Sequence, residues 1–262
     1  MHEKISEQVI SKPWIPKLFK SIVSILSVWI EKIINNVSNN LIAATPKIAE
    51  DCPSKNTIVV QNFPILNVQS NQNYVPYQSR ENNIIYVGDL TKVRGIKEIT
   101  VAMERLPVSL NTNLFIGGNF PHIKYKNEVM RLDGWSKVNY LGYIDRKTVI
   151  KQLGLSRIGL VVLHPIPNYI SSQPVKMYEY MNAGIPFVAS DFPLWKNLIE
   201  KIECGLLVDP LDPQSIADAI EWLLKNPQAA ERMGSKGKEA VQNQFNWEIE
   251  ENKLINFYRK IV

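Results

Sequence analysis

The residues best suited to chemistry sit in one segment, Ser171-Ser172-Gln173-Pro174-Val175-Lys176-Met177-Tyr178-Glu179-Tyr180-Met181-Asn182-Ala183-Gly184-Ile185-Pro186. Ser172 or Gln173 suits a helix N-cap and Pro174 its first turn, while Gly184 suits the positive φ that ends a helix. Lys176 and Glu179 are three apart and therefore share a face. Lys176 falls in the first turn, where the helix dipole and unpaired N–H groups favour a phosphate. Glu179, one turn deeper, can accept hydrogen bonds from a ribose diol. The plainer alternative is an i,i+3 salt bridge on a surface helix. Met177, Tyr178, Tyr180 and Met181 weigh against it. A helix so wrapped in apolar side chains is mostly buried, and a buried charge requires a partner or a function.

A second candidate is the run Gly88-Asp89-Leu90-Thr91-Lys92-Val93-Arg94-Gly95, which follows a β-branched stretch. It places Lys92 and Arg94 ahead of a helix N-terminus, where cations and free backbone N–H groups converge on anions. A solvated turn with surface charges is the competing reading. The run contains no G-x-G-x-x-G, which removes most of the case for a nicotinamide dehydrogenase.

These residues need a scaffold, and the pattern supplies one. From Asn83 onward short apolar runs (84–87, 114–116, 138–141, 158–162, 186–190 and 205–208) alternate with amphipathic segments (96–106, 149–153, 175–183 and 216–224). Asp212-Pro213 serves as N-cap and first turn of the last of these. Such alternation predicts a parallel sheet with helices on both faces, whose ligands bind beyond the carboxyl ends of the strands. The 262 residues suggest roughly 1.7 domains at about 150 residues each. The expected organisation is a partial N-terminal domain over 1–64, a linker over 65–82 and a complete doubly wound domain over 83–245. A C-terminal helix over 246–262 ends the chain. In the first part, 14–37 reads as one long helix, 40–44 and 57–60 as strands, and 47–51 as a short helix.

Composition limits the partners. Thirty Lys+Arg against 25 Asp+Glu leave a net charge of +5, with a pI near 9.0. This suits an anionic small molecule or an acidic membrane surface and is too diffuse for nucleic acid. Cys52 and Cys204 are far apart and there are three histidines, so neither a disulfide scaffold nor a structural zinc site is expected. No signal peptide opens the chain, and the apolar stretch 22–30 is too short to span a bilayer. A cytoplasmic protein is expected, with peripheral contact at the inner membrane face. Trp14, Lys17, Lys20 and Trp29 flank apolar positions as in an interfacial helix, although burial against a domain core is the commoner fate of such a stripe.

The segments 88–95, 114–119, 138–144 and above all 174–190 resemble the nucleotide-sugar-binding half of group 1 (family 4) retaining glycosyltransferases. Gly205 to Pro213 continues the likeness through a G-x-x-V-x-P-x-D-P pattern. The resemblance implies a GT-B fold and transfer of a sugar from a nucleotide donor with retained anomeric configuration. It implies no cofactor and no metal, since basic side chains and a helix N-terminus neutralise the diphosphate. Glu179 matches the family's ribose-binding glutamate, Arg94 its diphosphate-binding lysine, and Gly117 and Gly118 its glycine turn. Gly88, Tyr143, Lys176 and Ser172 are assigned to the same donor site. His2 falls where the family has an active-site histidine. Two departures bear on the donor sugar. Asp89 stands where an arginine is frequent, and Ser171 stands at the first glutamate of E-x7-E, with Lys176 restoring positive charge.

The expected partners are a nucleotide sugar and a glycan or lipid-linked acceptor. The first strands of the acceptor-side domain are not recognised in the sequence, which gives two further expectations. The chain alone transfers sugar poorly, and a complementing N-terminal polypeptide restores activity. A catalytically silent nucleotide-sugar-binding module or partner subunit is the alternative. A sugar-nucleotide 2-epimerase lacks the necessary cluster of carboxylates and histidines.

Overall fold

The computed structural model describes residues 16–51, 54–66 and 75–261. The chain divides into two compact units, Met1–Ile65 with Asn246–Val262, and Leu66–Phe245. His2, Trp14 and Cys52 lie outside the described residues.

In the first unit, helix α1 (Lys17–Val37) precedes strand β1 (Asn40–Ala43), helix α2 (Pro46–Asp51) and strand β2 (Asn56–Val59). The two strands pair in parallel, Asn40 opposite Asn56 and Ala43 opposite Val59. Phe19, Ile22, Ile25, Leu26, Trp29 and Ile33 of α1 are exposed. No helix among the described residues is long and apolar enough to cross a membrane.

The second unit is the scaffold that the alternating pattern predicts. Its chain runs through β3 (Asn83–Val87), α3 (Ile96–Arg105), β4 (Asn113–Gly117), α4 (Ile123–Val129), β5 (Val138–Gly142), α5 (Arg146–Leu155) and β6 (Ile158–Val161). It continues through α6 (Pro167–Ile170), α7 (Val175–Asn182), β7 (Phe187–Ser190), α8 (Pro193–Ile202), β8 (Gly205–Val208), α9 (Pro213–Lys225) and α10 (Pro227–Asn243). The six strands form one sheet in the order β5-β4-β3-β6-β7-β8, every pair parallel. This is the doubly wound α/β order, and it reverses direction between β3 and β6. Every residue of β6 and β7 is buried, as expected of strands covered on both faces. Asp212 caps α9 by accepting from the Gln214 N–H at 2.9 Å.

Helices α4, α6, α8 and α10 lie outside the amphipathic segments that the sequence pattern marks. Helix α10 is mostly polar and contains Gly234 and Gly237, two residues that weaken a helix. The glycines serve close packing. A Cβ on Gly234 would stand 2.2 Å from the Gly184 carbonyl oxygen, and one on Gly237 would stand 3.1 Å from Cγ of Met181.

The last helix, α11 (Trp247–Ile261), groups with the first unit. The Trp247 N–H donates to the Pro64 carbonyl at 3.0 Å. Buried Glu250 accepts from the Gln61 N–H at 2.9 Å and from Lys253 Nζ at 2.7 Å. Tyr77 is also buried within the second unit, its hydroxyl donating to the Arg157 carbonyl at 3.1 Å. The part of the 65–82 stretch around it is therefore packed rather than extended.

Candidate functional site

A doubly wound sheet offers a crevice where its strand order reverses, here beyond Val87 of β3 and Val161 of β6. Two turns meet there. Gly88 has φ +143° and Gly118 has φ +148°, a region that side chains rarely adopt. A Cβ on Gly118 would stand 1.9 Å from the Gly88 carbonyl oxygen, so the two backbones approach as only glycine permits. Gly117 closes β4, and its carbonyl accepts from the Gly88 N–H at 2.9 Å.

Helix α7 is aimed at this crevice by packing. The ring of Tyr180 lies directly on Gly159 of β6, where a Cβ would stand 2.4 Å from the ring. The Tyr180 hydroxyl donates to the Leu160 carbonyl at 3.3 Å. Met177, Tyr178, Tyr180 and Met181 are all buried, as the sequence pattern implies. The expected cap is different: Pro174 occupies the N-cap and no side chain caps the helix. Ser172 sits in the preceding turn, its hydroxyl donating to the Tyr169 carbonyl at 3.3 Å and its own carbonyl accepting from the Trp195 indole at 2.6 Å. A proline with no side-chain cap leaves the first-turn N–H groups untaken by any side chain.

Lys176 projects from that first turn. Its Nζ lies 4.3 Å from the centroid of the Tyr86 ring and 2.8 Å from where a Cβ on Gly88 would stand. The residue as a whole is half-buried, yet Nζ itself is shielded from water and has no hydrogen-bond partner. Burial pushes the amine well below the ordinary lysine range, to about 7, with the Arg94 guanidinium adding repulsion and Glu179 and Asp89 opposing it. The salt bridge between Lys176 and Glu179, the plainer reading of the sequence, does not form. Glu179 pairs instead with Nη1 of Arg146. Arg146 opens α5, a helix capped by Asp145 accepting from the Thr148 N–H at 2.8 Å. No local signal marks Arg146, which lies 33 residues from Glu179 and reaches it only through the fold.

Arg94 ends the short 3-10 turn Lys92–Arg94. Its Nη2 lies 3.7 Å from Oδ2 of Asp89, and its guanidinium lies 5.8 Å from the centroid of the Tyr169 ring. The aspartate that departs from the family pattern is thus the partner of the arginine. The fold brings Gly88, Arg94, Lys176 and Glu179 into one electrostatic neighbourhood. Tyr143, 79% exposed, follows β5 in the adjacent loop. Among the described residues no group of three or more His, Cys, Asp or Glu is placed to hold a metal ion.

The model of the family described as glycosyl transferases group 1 matches residues 69–240. An uncharacterized glycosyltransferase of Methanocaldococcus jannaschii is 27% identical over 183 residues, covering 70% of this chain and 46% of that protein. The N-acetyl-alpha-D-glucosaminyl L-malate synthase of Bacillus anthracis is 22% identical over 236 residues, covering 87% of this chain and 58% of that one. The chain therefore spans about half the length of these curated relatives. Among solved structures, Anabaena HepE in complex with UDP and glucose superimposes with a TM-score of 0.72 at 15% identity, covering 90% of this chain and 67% of that one. The likeness places the fold among those of GT-B glycosyltransferases. With two thirds of its length matched by the family model, the chain belongs to the group 1 glycosyl transferases.

Proposed function

We propose that this chain binds a nucleoside diphosphate sugar in the crevice between β3 and β6 and transfers the sugar, with retention of configuration, to a glycan or lipid-linked acceptor. One observation carries the reading: a buried, unpartnered lysine amine at the head of α7, beside the Gly88 turn. A buried cation without a counter-ion is costly, and an arriving diphosphate supplies the missing charge. Arg94 adds a second cation, and the glycine turns at Gly88, Gly117 and Gly118 let the backbone approach the ligand. Glu179, held by Arg146, accepts from the ribose hydroxyls. Tyr143 and Ser172 belong to the same donor site.

In transfer, the bond from the anomeric carbon to the diphosphate oxygen breaks and its electron pair stays on that oxygen. The acceptor hydroxyl oxygen bonds to the same face of the carbon and passes its proton to the departing diphosphate oxygen. Lys176, Arg94 and the N-terminus of α7 stabilise the charge developing on the leaving group. Side-chain cations fill the neutralising role here, so the reaction is metal-independent and insensitive to chelators. UDP is the first probe, supported by the UDP bound to the HepE neighbour. Calorimetry with UDP and GDP tests the donor site: Glu179→Ala weakens the bound nucleotide by about 1.5–3 kcal/mol, the range for a hydrogen bond to a charged group. Equal affinity for wild type and variant overturns the assignment of Glu179.

A further inference from the structure

The Arg94 turn is joined to the end of β6 at three points, and one of them is a pair of side chains that the donor site leaves unused. The His164 N–H donates to the Val93 carbonyl at 2.9 Å. On the other side of Arg94, a Cβ on Gly95 would stand 2.2 Å from the Val162 carbonyl oxygen, so the turn rests directly on the β6 extension. One turn into α3, Oε2 of Glu98 lies 3.1 Å from Nε2 of His164, their side chains 15% and 14% exposed. The contact is out of line for a hydrogen bond, and neither atom has another hydrogen-bond partner. Shielded from water, these two atoms lie against each other and form an ion pair whenever the imidazole is protonated.

We infer that Glu98 and His164 form a positioning pair that fixes the Arg94 turn against β6 and thereby tunes binding of the diphosphate part of the donor. The inference rests on the donor reading above. Anchoring α3 does not require the pair, because Ile96, Ile99, Ala102 and Met103 of that helix are already fully buried. What the pair adds is a polar clasp at the end of the helix that leads out of the Arg94 turn. Neither side chain is assigned a contact with the ligand.

The test compares UDP with uridine, and GDP with guanosine, by calorimetry on the full chain. Glu98→Ala and His164→Ala each weaken the diphosphate about tenfold and leave the nucleoside unchanged, and the double variant is little worse than either single one. His164→Gln, whose amide N–H still reaches Glu98, recovers most of the loss and keeps the test open if the alanine variants do not fold. Equal losses for diphosphate and nucleoside, or no loss, overturn the inference. Amide hydrogen exchange over 91–95 reads the turn without any nucleotide. It accelerates in Glu98→Ala while exchange in β3 and β6 stays unchanged, and unaltered exchange over 91–95 also overturns the inference. Wild type that binds neither UDP nor GDP refutes the donor reading, and hydrogen exchange then decides the clasp alone.

Discussion

Lys176 keeps an amine where water cannot reach it, and that placement has consequences for both stability and binding. In the folded chain the amine titrates near 7, against 10.5 for a free lysine. Between those values the unfolded chain holds the extra proton, so this residue makes stability rise with pH through that window, and its full burial penalty acts below pH 7. Lys176→Met is expected to raise the melting temperature by several degrees at pH 6 and by less at pH 9.5, while removing nucleotide binding. Calorimetric melting at the two pH values checks both the sign and the trend. A bound diphosphate favours the charged amine, so binding above pH 7 takes up a proton and affinity falls as pH rises, by at most about tenfold per unit. Titrations at pH 8 in buffers of different ionisation enthalpy count that proton. The Lys176–Glu179 spacing was legible in the sequence because helical periodicity puts both on one face. Arg146 was not, because its contact with Glu179 depends on how two separate helices are docked.

At the scale of the element, α7 is positioned by surfaces with no room to spare. Tyr180 sits on Gly159, and the Gly184 carbonyl at the end of α7 sits against Gly234 of α10. Gly159→Ala drives a methyl group into the Tyr180 ring and is expected to cost about 1–3 kcal/mol. It also shifts the head of α7 and weakens nucleotide binding. Gly234→Ala meets backbone rather than a side chain that can turn aside, so it destabilises at least as much. Chemical denaturation and nucleotide titration of both variants measure the two effects separately. The strands were legible as continuous β-branched runs, and their bounds differ from the sequence reading by a residue or two at several ends. Helix α10 was obscured because the glycines that let it pack closely on α7 are the residues that weaken a helical pattern locally.

For the whole molecule, the division into two units predicts two unfolding events. UDP at a hundred times its dissociation constant is expected to stabilise the Leu66–Phe245 unit by about 2.7 kcal/mol and leave the other transition in place. Differential scanning calorimetry with and without nucleotide reads this directly. The exposed apolar face of α1, with Ile25 at 59% and Trp29 at 64% exposure, is expected to drive concentration-dependent association. Ile25→Glu with Trp29→Glu should reduce it in sedimentation velocity, since large apolar patches in water seek cover.

The α/β class, the parallel sheet of the second unit and the face shared by Lys176 and Glu179 are legible in the amino-acid sequence. All of these follow from local periodicity, from apolar runs and from the turn chemistry of glycine and proline. Tertiary structure alone decided the rest. Strand order placed the crevice between β3 and β6, because a string of strands does not state which one pairs with which. Docking of α5 gave Glu179 its arginine and left the Lys176 amine without a hydrogen-bond partner. Grouping of α11 with 16–65 brought the two ends of the described chain into one unit. Each of these depends on contacts between residues far apart in the chain, and periodicity along the chain does not encode them.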